Sequence, residues 1–304
     1  MRTGEMSRSK ASSDPHCAAG TRRPASRLPR LWMAVVTLAL ACGMVRCATV
    51  AVADDAASPS IAHMDELWAR REVPDRVREM LDVGTDTLAR DPQSYEAAWR
   101  VARAYWYLGH TTTERERARN AAEDGMRYAE RAVTLRPDRV EGHFMYALAV
   151  ANYGLTLSPF VAATKGIAAK FEAEALKAYE LDPTFDRGGP IVALGRYYYE
   201  LPWPLRDLDR SRRYLEEARR LYPGSLYARE YLAETVYALG DGELAEQELI
   251  SVVEAQCRPD SDRDPEASEA SNLARQAIER WFPSAIQMAA VGAGDARADG
   301  TCRF

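Results

Sequence analysis

The chain has 304 residues, a formal net charge of −5 and 47% hydrophobic residues. That length suits one large domain or a solenoid of several repeats. Lys and Arg are scattered among Asp and Glu with no basic stripe, which argues against a nucleic-acid partner.

Residues 1–30 are polar and basic, with Arg22, Arg23, Arg27 and Arg30. Leu31 to Val45 follows as a continuous apolar run of 15 residues. A spanning helix needs about 20, so the run fits the apolar region of a signal peptide better than an anchor. Ala51-Val52-Ala53 then places small residues at −3 and −1, and a leader over 1–53 with cleavage after Ala53 is expected. Two alternatives stay open. Leu38 to Cys42 (LALAC) resembles a lipobox, which would lipidate Cys42 and tether the chain to a bacterial membrane. The run would otherwise remain as an uncleaved anchor.

None of the five cysteines stands in a C-x-x-C pair, so neither a zinc ribbon nor a thioredoxin-type site is suggested. Cleavage after Ala53 leaves Cys257 and Cys302, which an oxidising compartment would allow to bridge. Two unpaired thiols are the alternative. The four histidines are not spaced as ligand pairs, and no metal or cofactor is expected.

Past a linker at 56–61, the spacing predicts a short helix over Met64–Arg71 and another from Pro74 or Asp75 to Pro92. Ser94 is the expected N-cap of a helix closing at Gly109, with Ala98, Trp99, Val101, Ala102, Tyr105 and Trp106 on its apolar face. Thr113-x-x-Glu116 has the form of a capping box for the next helix, which runs to Leu135. Asp138 to Leu155 reads as helix. Leu155 to Phe171 is interrupted by Pro159 and Gly166 and is more apolar than a surface helix needs, so burial between hairpins or against a cavity is expected. Helices then lead to Pro183, from a Gly-Gly turn to Pro202, and from Asp209 to Tyr222. A hairpin at Leu226–Val253, a polar linker after Cys257 and a final helix over Ala270–Trp281 complete the expected order. The expected domains are a helical repeat over 54–256, a linker with a capping helix over 257–282, and a poorly ordered tail over 283–304.

One short signature organises this order. Ala-x-x-Leu-x-Pro occurs at Ala132–Pro137, Ala178–Pro183 and Ala218–Pro223, with a worn copy ending at Pro92. From Pro92 through Pro137 and Pro183 to Pro223 the steps are 45, 46 and 40 residues. A helix end recurring at near-constant period marks stacked helical hairpins. A lone hairpin hides too little apolar surface to offset the entropy of ordering it, and stacking supplies the rest. The fold class expected is all-α: a right-handed solenoid of antiparallel helical hairpins with long, irregular repeats.

The hairpins resemble the tetratricopeptide repeat (TPR). Tyr237 to Asp241 looks like that repeat's helix–turn junction, and Ala245 and Leu249 match its packing positions. Leu194-Gly195 and Tyr198 match its first helix, and Gly125, Ala129, Ala132 and Pro137 its second. The repeat's period is about 34, so these copies are longer. The segment LDPTFDRGGPIVALGRYYYELP (181–202), with 99–109 and 140–154, resembles the T-component associated with tripartite (TRAP-type) periplasmic transporters. That resemblance covers roughly residues 75–256. It implies a periplasm-facing helical protein that binds an apolar or organic-anion ligand, or a substrate-binding partner protein.

Aromatics concentrate on the first helix of each hairpin, the side that lines the concavity of such arrays. Trp99, Trp106, Tyr107, Tyr146, Tyr153 and Tyr198 are the candidate walls of a binding groove, with Arg103 and Arg196 as candidate carboxylate anchors beside Arg100 and Asn152. The alternative for each ring is packing in the core. Tyr197, Tyr198 and Tyr199 cannot share one helix face, since a helix turns about 100° per residue. No G-x-S-x-G, H-E-x-x-H or P-loop string occurs, and no enzyme activity is expected. Three functions remain open: a protein-interaction scaffold, alone or as a homo-oligomer; a ligand-binding accessory of a transporter; and an envelope assembly or secretion factor. A continuous cavity lined by Trp106, Tyr153 and Tyr198 would favour the accessory.

Overall fold

Residues 58–256 and 265–283 are described in the structure, a computed structural model. The leader, Cys42, Cys257, Cys302 and the tail beyond residue 283 lie outside the described residues. The described residues form twelve helices and no strand. They are α1 (Pro59–Trp68), α2 (Arg76–Arg90), α3 (Tyr95–Thr111), α4 (Arg115–Leu135), α5 (Val140–Leu155), α6 (Pro159–Thr164), α7 (Ile167–Leu181), α8 (Phe185–Glu200), α9 (Leu208–Leu221), α10 (Leu226–Ala238), α11 (Gly242–Gln256) and α12 (Pro265–Trp281). Hairpins pair α3 with α4, α5 with α7, α8 with α9, and α10 with α11; α1 and α2 precede them, and α12 packs on α10 and α11.

The prolines stand at four equivalent exits. α2, α4, α7 and α9 end at Arg90, Leu135, Leu181 and Leu221, and Pro92, Pro137, Pro183 and Pro223 follow two residues later. The residues between are Asp91, Arg136, Asp182 and Tyr222, with ψ of 92°, 83°, 96° and 75°. The proline ring excludes the α-region for its predecessor, so the chain must leave the helix there. Each predecessor still donates its N–H to the carbonyl four residues back: Thr87, Ala132, Ala178 and Ala218. The three alanines are fully buried, which lets neighbouring helices approach.

Other local signals act as expected. Ser94 Oγ accepts the N–H of Ala97 at 3.2 Å and caps α3. Gly240 takes φ 91°, and the Asp241 N–H closes back on the Val236 carbonyl at 2.9 Å, the six-to-one bond that ends a helix on a left-handed residue. Asp186, Arg187 and Gly188 form a left-handed turn before Pro190.

Several boundaries differ. α1 starts at Pro59, where Ser58 caps it, and α12 starts at Pro265. α3 runs through Gly109 to Thr111, because that glycine is a close-packing site against Asn152 and the Ala118 carbonyl. The Thr113 capping box does not form; Glu114 is the N-cap of α4. Of the apolar stretch Leu155–Phe171, Phe171 is buried and Ile167 packs against the core, but the apolar side chains of its first part are not buried. Within it α6 contributes no buried residue.

Successive first helices (α1, α3, α5, α8, α10 and α12) touch along the stack, whereas second helices make no comparable contact. Closer packing on one side curves the stack toward that side, so the first helices form its inner layer.

Candidate functional site

The inner layer carries two charged aromatic clusters. The first joins α1 to α3. Asp65 of α1 accepts Nε and Nη2 of Arg100 at 2.9 and 2.8 Å, and Nη2 of Arg103 at 3.1 Å. Glu96 accepts Arg100 Nη1 at 2.5 Å and Trp99 Nε1 at 2.8 Å. The guanidiniums lie on rings: Arg100 is 4.1 Å from the Trp99 centroid, and Arg103 is 4.3 Å from Trp68 and 4.8 Å from Trp99. Tyr107 meets Trp68 edge-on at 5.7 Å. Burial alone would raise the Asp65 carboxyl, but Arg100 and Arg103 outweigh it and hold it below the usual carboxylate range. Burial lowers Arg103 to about 10, with the Arg100 charge adding to the effect and Asp65 opposing it.

The second cluster joins α8 to α10. Arg196 pairs with Glu234 and with Glu200, and its guanidinium lies 4.5 Å from the Tyr231 ring and 5.1 Å from Tyr199. Glu230, one turn from Glu234, is 1% exposed, and its Oε2 has no hydrogen-bond partner. Burial, with the neighbouring Glu234 charge, pushes its carboxyl up to about 8. Beyond it, Tyr227 Oη donates to Glu269 of α12 at 2.8 Å. Glu269 also lies 3.7 Å from His110 Nε2, so α12 bridges back to α3 across the inner layer.

These positions divide the sequence candidates. Trp99, Arg103 and Tyr107 come together in the first cluster. Arg196 stands in the second. Trp106 stacks on His110 at 5.5 Å, beside the α12 bridge. Tyr146 lies within reach of the charges of Glu130 on α4 and Glu174 on α7, toward the second helices. Tyr198 is buried toward the second helices too, donating to Glu172 at 2.7 Å and stacking on Tyr214. Tyr153 sits below Lys165 at the α6 insertion. Trp106, Tyr153 and Tyr198 therefore line no common cavity. Two hollows on the described surface, of about 370 and 470 Å³, are lined by other residues, around His63 and Arg76 and around Pro92 and Arg131.

The expected carboxylate anchors are already engaged. Arg100, Arg103 and Arg196 face acids of the chain itself, and Asn152 donates to the Trp106 carbonyl at 3.0 Å. Sequence reasoning missed Asp65, Trp68, Glu230, Glu234 and Glu269. The one usable signal was the matched spacing of Asp65 with Trp68 and of Arg100 with Arg103, each three apart on one helix face.

The fold is that of a helical, TPR-like scaffold. A family model described as "Regulator of microtubule dynamics protein 1-3" matches residues 61–202, from α1 to the turn after α8. Among solved structures, the chain is similar to a thermophilic TPR protein of Thermus thermophilus. The TM-score is 0.54 at 17% identity, over 71% of this chain and 97% of that one. No curated protein matches the sequence.

Proposed function

We propose that the chain is an exported, TPR-like scaffold whose inner layer of first helices binds a partner protein. The observation that carries this is the state of the inner layer. Half-buried rings such as Trp106, Tyr199 and Tyr231 stand on the first helices α3, α8 and α10, and Trp106, Tyr153 and Tyr198 line no common cavity. Rings with a polar tip suit a protein surface, offering large contact area at low entropic cost. The internal neutralisation of Arg100, Arg103 and Arg196 weighs against a small organic anion as the principal ligand. Export rests on the leader over 1–53, with lipidation of Cys42 as its membrane-tethered form.

The finer reading is the T-component of a TRAP-type transporter, with a periplasmic substrate-binding protein as partner. The resemblance of 181–202 to that family supports it. The alternative is a general interaction module in envelope assembly or secretion. The family match over 61–202 is to a family described as a regulator of microtubule dynamics and not as a transporter component, so it adds no support to the transporter reading.

A pull-down from membrane extract with the full chain separates these readings. The native chain is expected to retain one dominant protein, and the Trp106→Ala/Tyr199→Ala variant to lose it. Identification of a substrate-binding protein would select the transporter reading. Equal retention by the variant would remove the inner layer as the binding surface.

A further inference from the structure

Large apolar side chains stand exposed on two adjoining turns. Leu155, at the end of α5, is 83% exposed, and Phe160 in α6 is 78% exposed. In the turn after α8, Trp203 is 90% and Leu205 62% exposed. Single exposed apolar residues are ordinary, but a concentration of them marks a contact surface.

Both turns emerge at the same edge of the stack. Tyr197, near the end of α8, donates its hydroxyl to the Ala168 carbonyl at the start of α7, at 3.1 Å. Asp207, closing the second turn, donates its N–H to the Tyr198 carbonyl at 3.1 Å. Gly154 lies directly against Ile167, so the α6 excursion leaves and returns at this same place. The end of α8 thus sits on the start of α7, and both turns project from that junction.

The first turn is free of acids. The chain carries 45 Asp and Glu, yet none falls between Gly142 and Phe171. That window holds Lys165 and Lys170, two of the chain's four lysines. The second turn carries Arg206 between Glu200 and Asp207, and those two acids are engaged by Arg196 and Arg210. Protein partners usually take apolar side chains into a concave groove, but here they sit on convex tips. Convex aromatic tips beside flexible cations match the boundary of an anionic bilayer. Trp and Phe settle there between headgroups and acyl chains, and Lys reaches the phosphates.

We propose that this edge docks on an anionic phospholipid membrane, with Phe160 and Trp203 entering the headgroup–acyl boundary. This edge adjoins the inner layer, since Arg206 lies 4.2 Å from the Tyr199 ring, but Phe160 and Trp203 are not among the inner-layer rings assigned to a partner protein above.

The test uses the full chain and vesicles of phosphatidylcholine with phosphatidylglycerol. An apolar leader can hold the chain on vesicles by itself, so a local readout is needed. With brominated lipid, the Trp203 contribution is the difference in quenching between native chain and Trp203→Phe. The expected result is clear quenching in the native chain, much reduced in Trp203→Phe. Phe160→Asp, which keeps Trp203, is expected to lower the Trp203 quenching, and Phe160→Asp/Trp203→Asp to weaken sedimentation with vesicles by roughly tenfold. Its circular dichroism should match native, since both side chains are exposed. Identical quenching in native and Trp203→Phe overturns the proposal. So does protection of Trp203 by a protein partner with no response to vesicles.

Discussion

The α1–α3 cluster gives the sharpest energetic prediction. Arg100→Met removes the guanidinium that joins Asp65 to Glu96. Glu96 then keeps the Trp99 Nε1 donor and, at 4.0 Å, the Arg139 guanidinium, while its side chain remains about 10% exposed. Breaking a buried ion pair by deleting one partner costs about 3–5 kcal/mol, most of it the penalty of the stranded charge. Asp65 is 46% exposed and keeps Arg103, so its share is screened by water. The expected loss is therefore near the lower end, about 3 kcal/mol. Arg100→Met/Glu96→Gln removes both charges and should recover most of that loss. In a stack the damage stays with nearest neighbours. Hydrogen exchange of α1 and α3, alongside urea denaturation, reads it directly. A single-variant loss under about 1 kcal/mol, or a double variant no better than the single, would refute the assignment of the pair as buried and interdependent.

Three other outcomes follow from named contacts. Gly195→Ala places a Cβ 2.5 Å from Leu215 Cγ, so overpacking should cost about 1–3 kcal/mol in urea denaturation. Glu230 binds its proton more tightly folded than unfolded. The native chain should therefore lose stability as pH rises from the ordinary carboxylate range toward about 8. Glu230→Gln should be more stable than native at pH above about 8, with the advantage fading on acidification; a pH-independent difference would count against a stranded carboxyl. Asp65 has the opposite sign. Its folded form is depressed, so its contribution is present above the unfolded carboxylate range and is lost as pH falls through the lower folded value. Asp65→Asn should remove that acid-side loss of α1 protection, read by hydrogen exchange across the acid range.

What the sequence reveals tracks how local each cause is. Proline acts on its immediate predecessor, so Pro137, Pro183 and Pro223 announce the hairpin exits without knowledge of the rest. Ser94 and Gly240 act within three residues and are equally readable. Partners across the stack are not. Arg100 meets Asp65 across 35 residues, and Arg196 meets Glu234 across 38. An arginine whose acid lies that far away looks like a free anchor in one dimension. Gly109 reads as a stop, yet it is a packing site whose reason lies on α4 and α5. The Leu155–Gly166 stretch shows the converse error. Apolar composition reads as burial, but burial needs a covering element, and none of the neighbours covers α6. Tyr197, Tyr198 and Tyr199 do diverge, as helix geometry requires. Tyr198 turns to Glu172 and Arg210, while Tyr199 lies beneath Arg206 toward the surface.

Site-specific photo-cross-linking tests the proposed role of the inner layer most directly. A photoreactive residue at Tyr199, on the inner layer, is compared with one at Arg213, exposed on second helix α9. The account predicts one discrete protein adduct from position 199 and none from 213. Equal adducts from both, or an adduct from 213 alone, would contradict it.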